Sequence, residues 1–589
     1  MYEWVLRAAD SDLCASLASS WNVSAQAAHI LYHRGLRTSE DGARFLATSL
    51  KGMRSPFLLR SMEQAVERVM RAVLRRERVL VYGDYDVDGI TATAILVHFL
   101  RYAGLQPFYY VPDRLSEGYG FHPEWVRRFH NEGVQLIITV DCGVSAHEAV
   151  GLAQSLGIDV VVTDHHECQG RIPPALAVVN PKQPREGFPF RDLAGVGVAF
   201  YLVVALRTRL RECGLWERKP EPVLRDYLDL VALGTLADMV PLQQENRLFV
   251  KHGLGEISAA RRPGVSVLKE QSGIRGHVFH ARPIVYRMIP RINAPGRLGS
   301  ALEGLEMLLC EDLEQAKRMA RGIEDRNHQR KSIEEAVYQE AFRLAEKHLG
   351  IAEQPVLVLG SEKWHKGILG IVASRLVEDF QRPVVLLSFD GDLGKGSVRT
   401  VEGLDILAAL LSCREHLEEF GGHRSAAGIR LQRRHMERFR RAFAEAIQAL
   451  RGRGKIRAHR LLLDLWLKEP KQLNERIVAE LGQMAPFGSG NDEPVFGMER
   501  VSFFDCRAVG ENHLRLSVGD PACRFEAIGF GMANGPLTRQ AGCTWDIAFT
   551  PEQDEWQGKS QMRLRLVDIR PSGSPPPAPC CITGEPETV

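Results

Sequence analysis

The amino-acid sequence predicts a multidomain α/β protein with a parallel-sheet domain, a long connecting helix, a smaller α/β domain and a C-terminal β-barrel module. The chain has 589 residues, which is too long for one ordinary domain. In its first half, short apolar strands alternate with helical segments, which is typical of a parallel sheet covered on both faces. The final quarter contains short alternating strands at close spacing, which indicate a small barrel.

The bulk composition is that of a globular protein outside the membrane, with 45% hydrophobic and 25% charged residues. The net charge of +2 means that binding a polyanion would require local basic patches. The 11 cysteines show no paired metal spacing, so we expect reduced thiols and a cytoplasmic location. No signal pattern or bilayer-length apolar run is present, so we predict no membrane partner.

Pattern changes along the chain predict six segments. They are an N-terminal helical segment (1–60), the large α/β domain (61–310), a connecting helix (311–349), the smaller α/β domain (350–455), an OB-like module (456–570) and a Pro-rich tail (571–589) that we expect to be disordered.

In the large domain the apolar runs predict five strands, at 79–82, 107–111, 136–140, 160–163 and 177–179. Helices are predicted at 61–75, 91–102 and 224–238. The stretch RINAPGRLG, residues 291–299, is rich in Gly and Pro, and we expect a loop that presents Arg291 and Arg297.

The second half of the chain is predicted in the same way. In the smaller domain we expect strands at 356–359 and 384–388, helices at 367–380 and 404–420, and Gly-rich turns at 394–400 and 421–428. In the last module we expect strands at 501–504, 514–518, 525–530, 546–549 and 562–567. Such a barrel is a common platform for single-stranded nucleic acid.

Three aspartates follow the first strand of the large domain at alternate positions: Asp84, Asp86 and Asp88. Carboxylates this close together repel one another unless a cation lies among them, and hard divalent cations take oxygen ligands. An Asx-rich surface turn explains this stretch equally well when it is taken alone.

Later elements of the same domain also end in polar residues: Asp141, Asp164, His165 and His166 follow predicted strands, and Asp238 ends a predicted helix. The carboxyl ends of parallel strands meet at one edge of a sheet, so these groups can share a site. Carboxylates and imidazoles without thiols suit Mn²⁺ or Mg²⁺, and two such cations are the usual device for hydrolysing phosphate esters. We assign catalytic roles to Asp141, His165 and His166; His166 could bind metal, contact a phosphate or donate a proton.

The segments GDYDVDG, VDCG, TDHHE and GTLADMVPL resemble the four motifs of the DHH phosphoesterase superfamily. GGHRSAAG is similar to the signature of its DHH-associated domain, and WHKGILGIVASRL, RINAPGRLG and PFGSGNDEPVF narrow the resemblance to a bacterial exonuclease family within it. The resemblance spans about residues 30 to 570. It makes 61–310 a DHH catalytic domain and 350–455 a DHH-associated substrate-binding domain. It implies metal ligands at Asp86, Asp88, Asp141, His165 and Asp238, with Asp84 as a further ligand where relatives place a histidine.

The resemblance also implies phosphate- or DNA-binding residues, namely Arg114, Arg297, Ser397, Arg399 and His423. A guanidinium group can hold a phosphate through two hydrogen bonds, and Gly-rich turns let backbone N–H groups approach one. Ser397 and Arg399 would bind a 5′-terminal phosphate and so set the polarity. Arg424 departs from the family pattern, which has a smaller or uncharged residue there.

The function that the resemblance implies is exonucleolytic hydrolysis of single-stranded DNA, 5′ to 3′, to mononucleotides during DNA repair and recombination. A RecQ-type helicase and a single-strand-binding protein would be partners. One alternative is a phosphodiesterase for oligonucleotides or cyclic dinucleotides, against which the barrel module argues. A second is an inactive structural factor of a replicative helicase, which the intact acids oppose. A third is a pure single-strand binder, which leaves the acids unexplained.

Overall fold

The computed structural model describes residues 2–168, 170–217, 219–276, 280–349, 354–401, 403–453, 460–510, 512–533, 544–556, 559–573, 577 and 579–580. Most of the predicted tail therefore lies outside the described residues. Among the residues described, no helix combines the length and apolar character that crossing a bilayer requires.

The N-terminal segment is helical as predicted, but it also contains a strand. Its elements are β1 (Glu3–Arg7), α1 (Ser11–Trp21), α2 (Ala25–His33) and α3 (Ser39–Leu46). The apolar face formed by Leu17, Trp21, Ile30 and Leu31 lies in one core with the C-terminal barrel. The two ends of the chain therefore form one packed unit.

The large domain has a five-stranded parallel sheet in the order β3-β2-β4-β5-β6, and all five predicted strands are present. Its strands are β2 (Val79–Gly83), β3 (Phe108–Tyr110), β4 (Leu136–Val140), β5 (Asp159–Thr163) and β6 (Ala177–Val179). Its helices are α4 (Met62–Arg75), α5 (Val87–Ala103), α6 (Pro123–Asn131), α7 (His147–Ser155), α8 (Gly195–Glu212), α9 (Leu228–Asp238), α10 (Gln244–Ala259), α11 (Pro263–Gln271), α12 (Ile289–Leu298) and α13 (Leu302–Leu309).

The stretch 291–299 is not a loop: its first eight residues belong to helix α12, which follows a π-helical turn at Ile284–Met288. Pro290 stands in the first turn of α12, where a missing N–H is tolerated. Pro295 removes one internal hydrogen bond, but its ring is buried with Ile292 against neighbouring helices. Packing of this apolar face outweighs the local breaker signal.

The predicted connecting helix is present as α14 (Leu313–Leu349), and it leads into a five-stranded sheet of order β10-β11-β9-β8-β7. This domain contains β7 (Leu357–Ser361), α15 (Leu369–Phe380), β8 (Val384–Asp390), β9 (Leu393–Arg399), α16 (Ile406–Ser412), β10 (Glu419–Gly422), β11 (Ala426–Gln432) and α17 (Met436–Arg453).

Three predictions in this domain are wrong. The Gly-rich stretches 394–400 and 421–428 are mainly strands β9, β10 and β11, and the helix predicted at 404–420 is limited to α16 and a 3-10 turn. Strand β9 lies between β8 and β11, and a Cβ at Gly394 or Gly396 would lie within 2.7 Å of Phe389 or Leu387. The glycines therefore serve close packing in a sheet rather than a turn.

The C-terminal module is the predicted OB-type barrel. It contains β12 (Arg460–Leu463), β13 (Leu465–Leu467), α18 (Glu475–Met484), β14 (Phe496–Val509), β15 (His513–Gly519), β16 (Arg524–Gly529), β17 (Trp545–Trp556) and β18 (Lys559–Pro571). Strands β14 to β18 form a closed barrel because β17 pairs with both β18 and β14.

A short strand in the predicted disordered tail contradicts that prediction in part. β19 (Pro579–Cys580) pairs in parallel with β1, which also pairs with β12. The ladder hydrogen bonds to β1 fix these two residues despite their Pro-rich surroundings.

Candidate metal centre and phosphate pocket

The acidic residues gather at the carboxyl ends of the three central strands of the large domain. Asp84 follows β2, Asp141 follows β4, and Asp164 and His165 follow β5. Asp84, Asp141 and His165 are all buried. The parallel register of these strands therefore brings together groups that are distant in sequence, as the sequence pattern predicts.

Helix α5 begins inside the acidic motif, four residues earlier than predicted. Asp86 is its N-cap, and the carboxylate accepts a hydrogen bond of 3.0 Å from the Gly89 N–H. Asp88 lies in the first turn, and its two oxygens accept hydrogen bonds from Gly195 and Val196 at 2.7 and 2.9 Å. These N–H groups belong to the first turn of α8, whose dipole favours a negative charge. Asp88 is thus held by two helix N-termini.

Two glycines provide the space for these carboxylates. A Cβ added to Gly195 would lie 2.4 Å from Oδ1 of Asp141, and one added to Gly234 would lie 2.8 Å from Oδ1 of Asp88. Asp141 itself has a φ of 60°, a left-handed conformation that is uncommon outside glycine and asparagine. Backbone strain at a functional site is typically maintained by its surroundings, here by the Asp141 N–H bond to the Thr163 carbonyl at 3.0 Å.

His165 lies at the centre of the cluster. Its Nε2 atom is 3.1 Å from Asp141, 3.6 Å from Asp238 and 3.9 Å from Asp88. Three groups of residues share members, and within each group one ligand atom per residue lies within 4.8 Å of the others: Asp84, Asp86 and Asp141; Asp88, His165 and Asp238; and Asp141, His165 and His166. The structure therefore brings every residue of the predicted metal set into one small volume.

Several of these buried atoms have no hydrogen-bond partner among the described residues: Oδ1 of Asp84, Oδ1 of Asp141, Oδ2 of Asp238 and both ring nitrogens of His165. Buried polar atoms are rarely left without a partner. Oxygen and imidazole donors that point into a shared space fit a hard divalent cation.

Burial is the main influence on the acids. It raises the pKa of Asp88 and of Asp238 to about 7, and the neighbouring carboxylates Asp238 and Asp86, respectively, add to the shift. Burial and nearby acids also raise the pKa values of Asp84 and Asp141 above the usual range. The fold therefore holds these carboxylates in an arrangement that disfavours their charge unless a cation neutralises it.

Asp164 positions the two histidines rather than facing the cluster. Its Oδ1 accepts hydrogen bonds from the backbone N–H groups of His165 and His166 and lies 2.8 Å from Nδ1 of His166. Burial would raise the pKa of Asp164, but the contacts with His166 lower it to about 2. Burial likewise opposes protonation of His166, while Asp164 raises its pKa to about 9. Burial lowers the pKa of His165 to about 4.

A basic cluster faces this acidic centre. Nη1 of Arg399 donates to Ser397 Oγ at 2.9 Å, and Nη1 of Arg297 donates to the Gly367 carbonyl at 3.2 Å. Burial, and to a smaller extent the charge of Arg114, lowers the pKa of the Arg297 and Arg399 guanidinium groups. The pKa of Arg297 falls to about 9. Arg114 lies over the Tyr85 ring at 4.9 Å. Cations held this close together in a part-buried site suit an anion with several oxygens.

His423 connects the two clusters. Its Nδ1 atom lies 3.0 Å from Ser425 Oγ, and after burial the charges of Arg399 and His166 lower its pKa. The structure therefore brings all five predicted phosphate residues close together where the two α/β domains meet. Arg424 points elsewhere: it is exposed and forms an ion pair of 3.4 Å with Asp405.

Sequence reasoning missed two contributors to the site. Arg330 on α14 is buried beside Arg297 and donates hydrogen bonds to Glu334 and Asn327. The highly charged sequence of this helix gave no sign that one of its arginines would be buried at the site. Gly195 and Val196 hold Asp88 through main-chain N–H groups. The AGVGVA stretch that contains them could have indicated a close backbone approach.

Three family models match the chain. Residues 78–235 match the DHH family N-terminal domain, residues 353–449 match the DHHA1 domain, and residues 464–568 match the RecJ OB domain. Together with the carboxylate–histidine centre, these matches define a phosphoesterase of the DHH class.

Relatives narrow the class. The chain is 37% identical over 557 residues to the single-stranded-DNA-specific exonuclease RecJ of Dickeya dadantii, covering 91% of this chain and 94% of that protein. It is 32% identical to the RecJ of Bacillus subtilis, covering 96% and 70% respectively. The crystal structure of Thermus thermophilus RecJ in complex with Mn²⁺ superposes with a TM-score of 0.79 at 30% identity, covering 98% of this chain and 80% of that one. The chain belongs to the RecJ family.

Proposed function

We propose that the protein is a metal-dependent exonuclease that hydrolyses single-stranded DNA from its 5′ end to mononucleotides. The observation that carries the proposal is the proximity of unpartnered carboxylate and imidazole atoms of the large domain to the part-buried arginines Arg297 and Arg399. A phosphodiester bridging these two sets of residues would meet metal-ligand atoms and guanidinium groups together.

The donor set fits two Mn²⁺ or Mg²⁺ ions. Asp84 and Asp86 would hold one ion, Asp88, His165 and Asp238 would hold the other, and Asp141 lies within reach of both groups. When bound, such a pair of cations supplies a deprotonated water and stabilises charge on the leaving oxygen. Mn²⁺ and Mg²⁺ share these ligands, so titration of each metal against activity would establish the preference.

His166 has a separate role in this proposal. Asp164 lies 2.8 Å from its Nδ1, which leaves the Nε2 of this part-exposed ring available to a substrate. This nitrogen can donate a hydrogen bond to a non-bridging oxygen of the scissile phosphate and a proton to the departing 3′ oxygen.

The 5′ polarity would come from the anchor formed by Ser397, Arg399 and Arg114. If these residues hold a terminal phosphate, the next phosphodiester lies at the metal centre and one nucleotide is released at each cut. A passage between the two domains would admit one strand and exclude a duplex, and the barrel would bind the strand further toward its 3′ end.

The decisive experiment incubates the full chain and Mn²⁺ with a long single strand that carries a 5′ phosphate and a 3′ label. Early mononucleotides with a shrinking labelled strand are expected, together with little cleavage of a blunt duplex. Release of the 3′ label first would contradict the proposed polarity. Faster turnover of a dinucleotide than of the long strand would favour the small-substrate phosphodiesterase instead.

We further propose that this activity serves DNA repair and recombination in the cytoplasm, where a RecQ-type helicase and a single-strand-binding protein would supply and coat the strand. The eight cysteines whose side chains the structure describes are free, which suits a reducing compartment. Pull-down of each partner with the full chain would test the associations.

A further inference from the structure

Two adjoining cavities open beside the phosphate anchor. They have volumes of about 200 and about 480 Å³, and both are lined by Leu115, Ser116, Lys366 and Asp390. The smaller one is also lined by Lys395 and Arg430. Leu115 and Ser116 directly follow Arg114 of the anchor, so the cavities continue the same site.

Strand β9 connects the anchor to this space. Side chains on a strand alternate between faces, so Lys395, Ser397 and Arg399 share one face and Val398 enters the core behind it. Successive members are about 7 Å apart, at roughly 3.4 Å of rise per residue. Arg430 lies directly opposite Lys395 on β11. The row of cationic side chains therefore extends beyond the anchor.

The orientation of this row relative to the metal centre decides which part of a bound strand it would contact. The Arg399 end lies beside His423, because Arg399 pairs with Ala426 on β11 and the Ala426 carbonyl accepts a hydrogen bond of 2.9 Å from the His423 N–H. His423 in turn lies close enough to His166 for their charges to interact. The Lys395 end therefore lies on the opposite side of Ser397 from the metal centre. A group bound there would be 5′ of the terminal phosphate.

The charge at this end is incompletely neutralised. Lys366 pairs with Asp390 at 3.7 Å, and Arg430 pairs with Glu419 at 3.2 Å. The Lys395 ammonium, by contrast, makes no hydrogen bond or ion pair within the part of the chain that the structure describes. Burial and then Arg430 and Lys366 lower its pKa, so its surroundings disfavour its charge. An anion in the cavity would remove this cost.

We propose that Lys395, with Lys366 and Arg430, forms a subsite for a second phosphate group beyond the 5′-terminal one. This inference rests on the proposed function, in which Ser397 and Arg399 hold the terminal phosphate. The second phosphate can come from a 5′-triphosphate end or from one additional 5′ nucleotide. The anchor is therefore open at its far side.

Either source leaves the hydrolysis itself unchanged. Water adds to the phosphorus of the scissile phosphodiester, the P–O3′ bond breaks, and the 3′ oxygen leaves with the 5′ fragment. The shortened strand keeps a 5′ phosphate. A triphosphate end would give a nucleoside 5′-triphosphate as first product, and an additional nucleotide would give a dinucleotide.

The test compares the full chain with its Lys395→Ala and Lys395→Gln variants, loaded with Mn²⁺, on strands of one sequence that carry a 5′ monophosphate or a 5′ triphosphate. Lys363→Ala is the matched control, because Lys363 is an exposed lysine of the same domain. First products are identified by mass spectrometry, and thermal melting checks that each variant is folded.

We expect the unaltered chain to cut the triphosphate strand within about threefold of the monophosphate strand, or to release dinucleotides from the monophosphate strand. Both Lys395 variants should lower that reaction about tenfold, as for loss of one charge-assisted contact, and leave mononucleotide release within about twofold. The control should change neither. The identity of the first product distinguishes the two sources.

The subsite is disproved if the unaltered chain cuts the monophosphate strand to mononucleotides alone and leaves the triphosphate strand intact, or if the Lys395 variants slow mononucleotide release equally. Absence of cleavage of both strands by the unaltered chain would instead contradict the proposed function.

Discussion

Asp141 is the residue around which the centre is built, and its properties come from its surroundings. It has a left-handed φ, its Oδ1 lies 3.1 Å from His165, and a backbone with no Cβ at Gly195 makes room for it. Burial and the acids Asp88, Asp86 and Asp84 raise its pKa. A residue so placed destabilises the metal-free protein, which is consistent with the proposed role of Asp141 as a metal ligand.

Asp141→Asn should therefore separate stability from activity. We expect exonuclease activity to fall by about 10³-fold, because one electrostatic contact at the reacting centre is lost. The rise in melting temperature on adding Mn²⁺ should shrink, because the stabilisation follows metal affinity. The metal-free melting temperature should not fall, because the change relieves repulsion among buried carboxylates.

Activity assays and differential scanning calorimetry across a Mn²⁺ titration would measure these effects. Asp325→Asn, an exposed aspartate on α14, removes the same charge elsewhere and should change none of them. An unchanged Mn²⁺ effect in Asp141→Asn would exclude Asp141 as a ligand.

Gly195→Ala tests the packing that sets the position of Asp141. The added Cβ would lie 2.4 Å from Asp141 Oδ1, so the carboxylate must move. We expect weaker Mn²⁺ binding, at least tenfold lower activity and destabilisation of about 1–3 kcal/mol, as for an overpacked core. Gly255→Ala is the control, since it lies in helix α10 with open space around it and should be neutral or stabilising by up to about 1 kcal/mol.

Calorimetry and Mn²⁺ titration on both glycine variants would provide the comparison. If Gly195→Ala bound Mn²⁺ like the unaltered chain, the close approach would have no bearing on the metal centre.

At the scale of elements, a helix terminus positions an acid of the metal centre, and the N-terminal segment packs on the barrel. The first turn of α8 holds Asp88 through main-chain N–H groups, although 107 positions separate Gly195 from Asp88. Helices α1 and α2 cover the barrel, and Asp464 between β12 and β13 fixes the contact. Its carboxylate lies 3.3 Å from Arg34 and 3.5 Å from His33, and it accepts a hydrogen bond from Val495.

Asp464 should make this contact sensitive to acid. Burial opposes its ionisation, but the close contact with His33 and the charges of Arg34 and Arg7 hold its pKa below the usual value. A carboxyl group with a lowered folded pKa stabilises the fold above its unfolded pKa of about 4, and that stabilisation is lost as pH falls through the folded value.

We therefore expect hydrogen exchange of the helix α2 amides, expressed relative to the intrinsic rate at each pH, to accelerate below about pH 4 in the unaltered chain. Asp464→Asn should accelerate it already at pH 7 and destabilise the unit by about 3 kcal/mol, because two arginines lose a buried counter-charge. Asp12→Asn, an exposed change on α1, should leave exchange unchanged. Equal exchange in Asp464→Asn and the unaltered chain at pH 7 would contradict this account.

At the scale of the whole molecule, the chain folds back on itself. Its first 46 residues pack on its last module, and the two α/β domains between them meet at the candidate site. Helix α14 joins those domains and contributes Arg330 to that site. The same helix therefore joins the two lobes and contributes to the proposed substrate site.

This arrangement predicts how truncations behave. A fragment of residues 1–453 removes the barrel and leaves Leu17, Trp21, Ile30 and Leu31 of the N-terminal helices without their core. We expect it to aggregate, because a large apolar face is exposed. A fragment of residues 50–453 lacks both parts, so it should remain monomeric and cut short strands while binding long strands more weakly.

Size-exclusion chromatography and activity on strands of two lengths would check this outcome. Equal solubility of the two fragments would mean that the N-terminal helices do not depend on the barrel.

The sequence by itself determined the parallel sheet, the connecting helix and the barrel, and it identified the acids and histidines that the structure brings together as a candidate metal site. These depend on local periodicity and on motifs at strand ends, and the sheet topology then brings the motifs together. The motif also singled out Ser397 and Arg399, which the structure places in hydrogen-bond contact with each other, although their strand was predicted as a turn.

Only the tertiary structure decided the features that depend on distant partners. Glycines 394 and 396 lie in a strand because β8 and β11 flank it, and residues 291–298 are helical because their apolar face is buried. Contacts between residues far apart in sequence account for three further features. They are the hydrogen bonds from α8 to Asp88, the buried position of Arg330, and the packing of the N-terminal helices on the C-terminal barrel. Local propensity contains no information about those contacts, and the free energy of packing that they contribute exceeds the local preference.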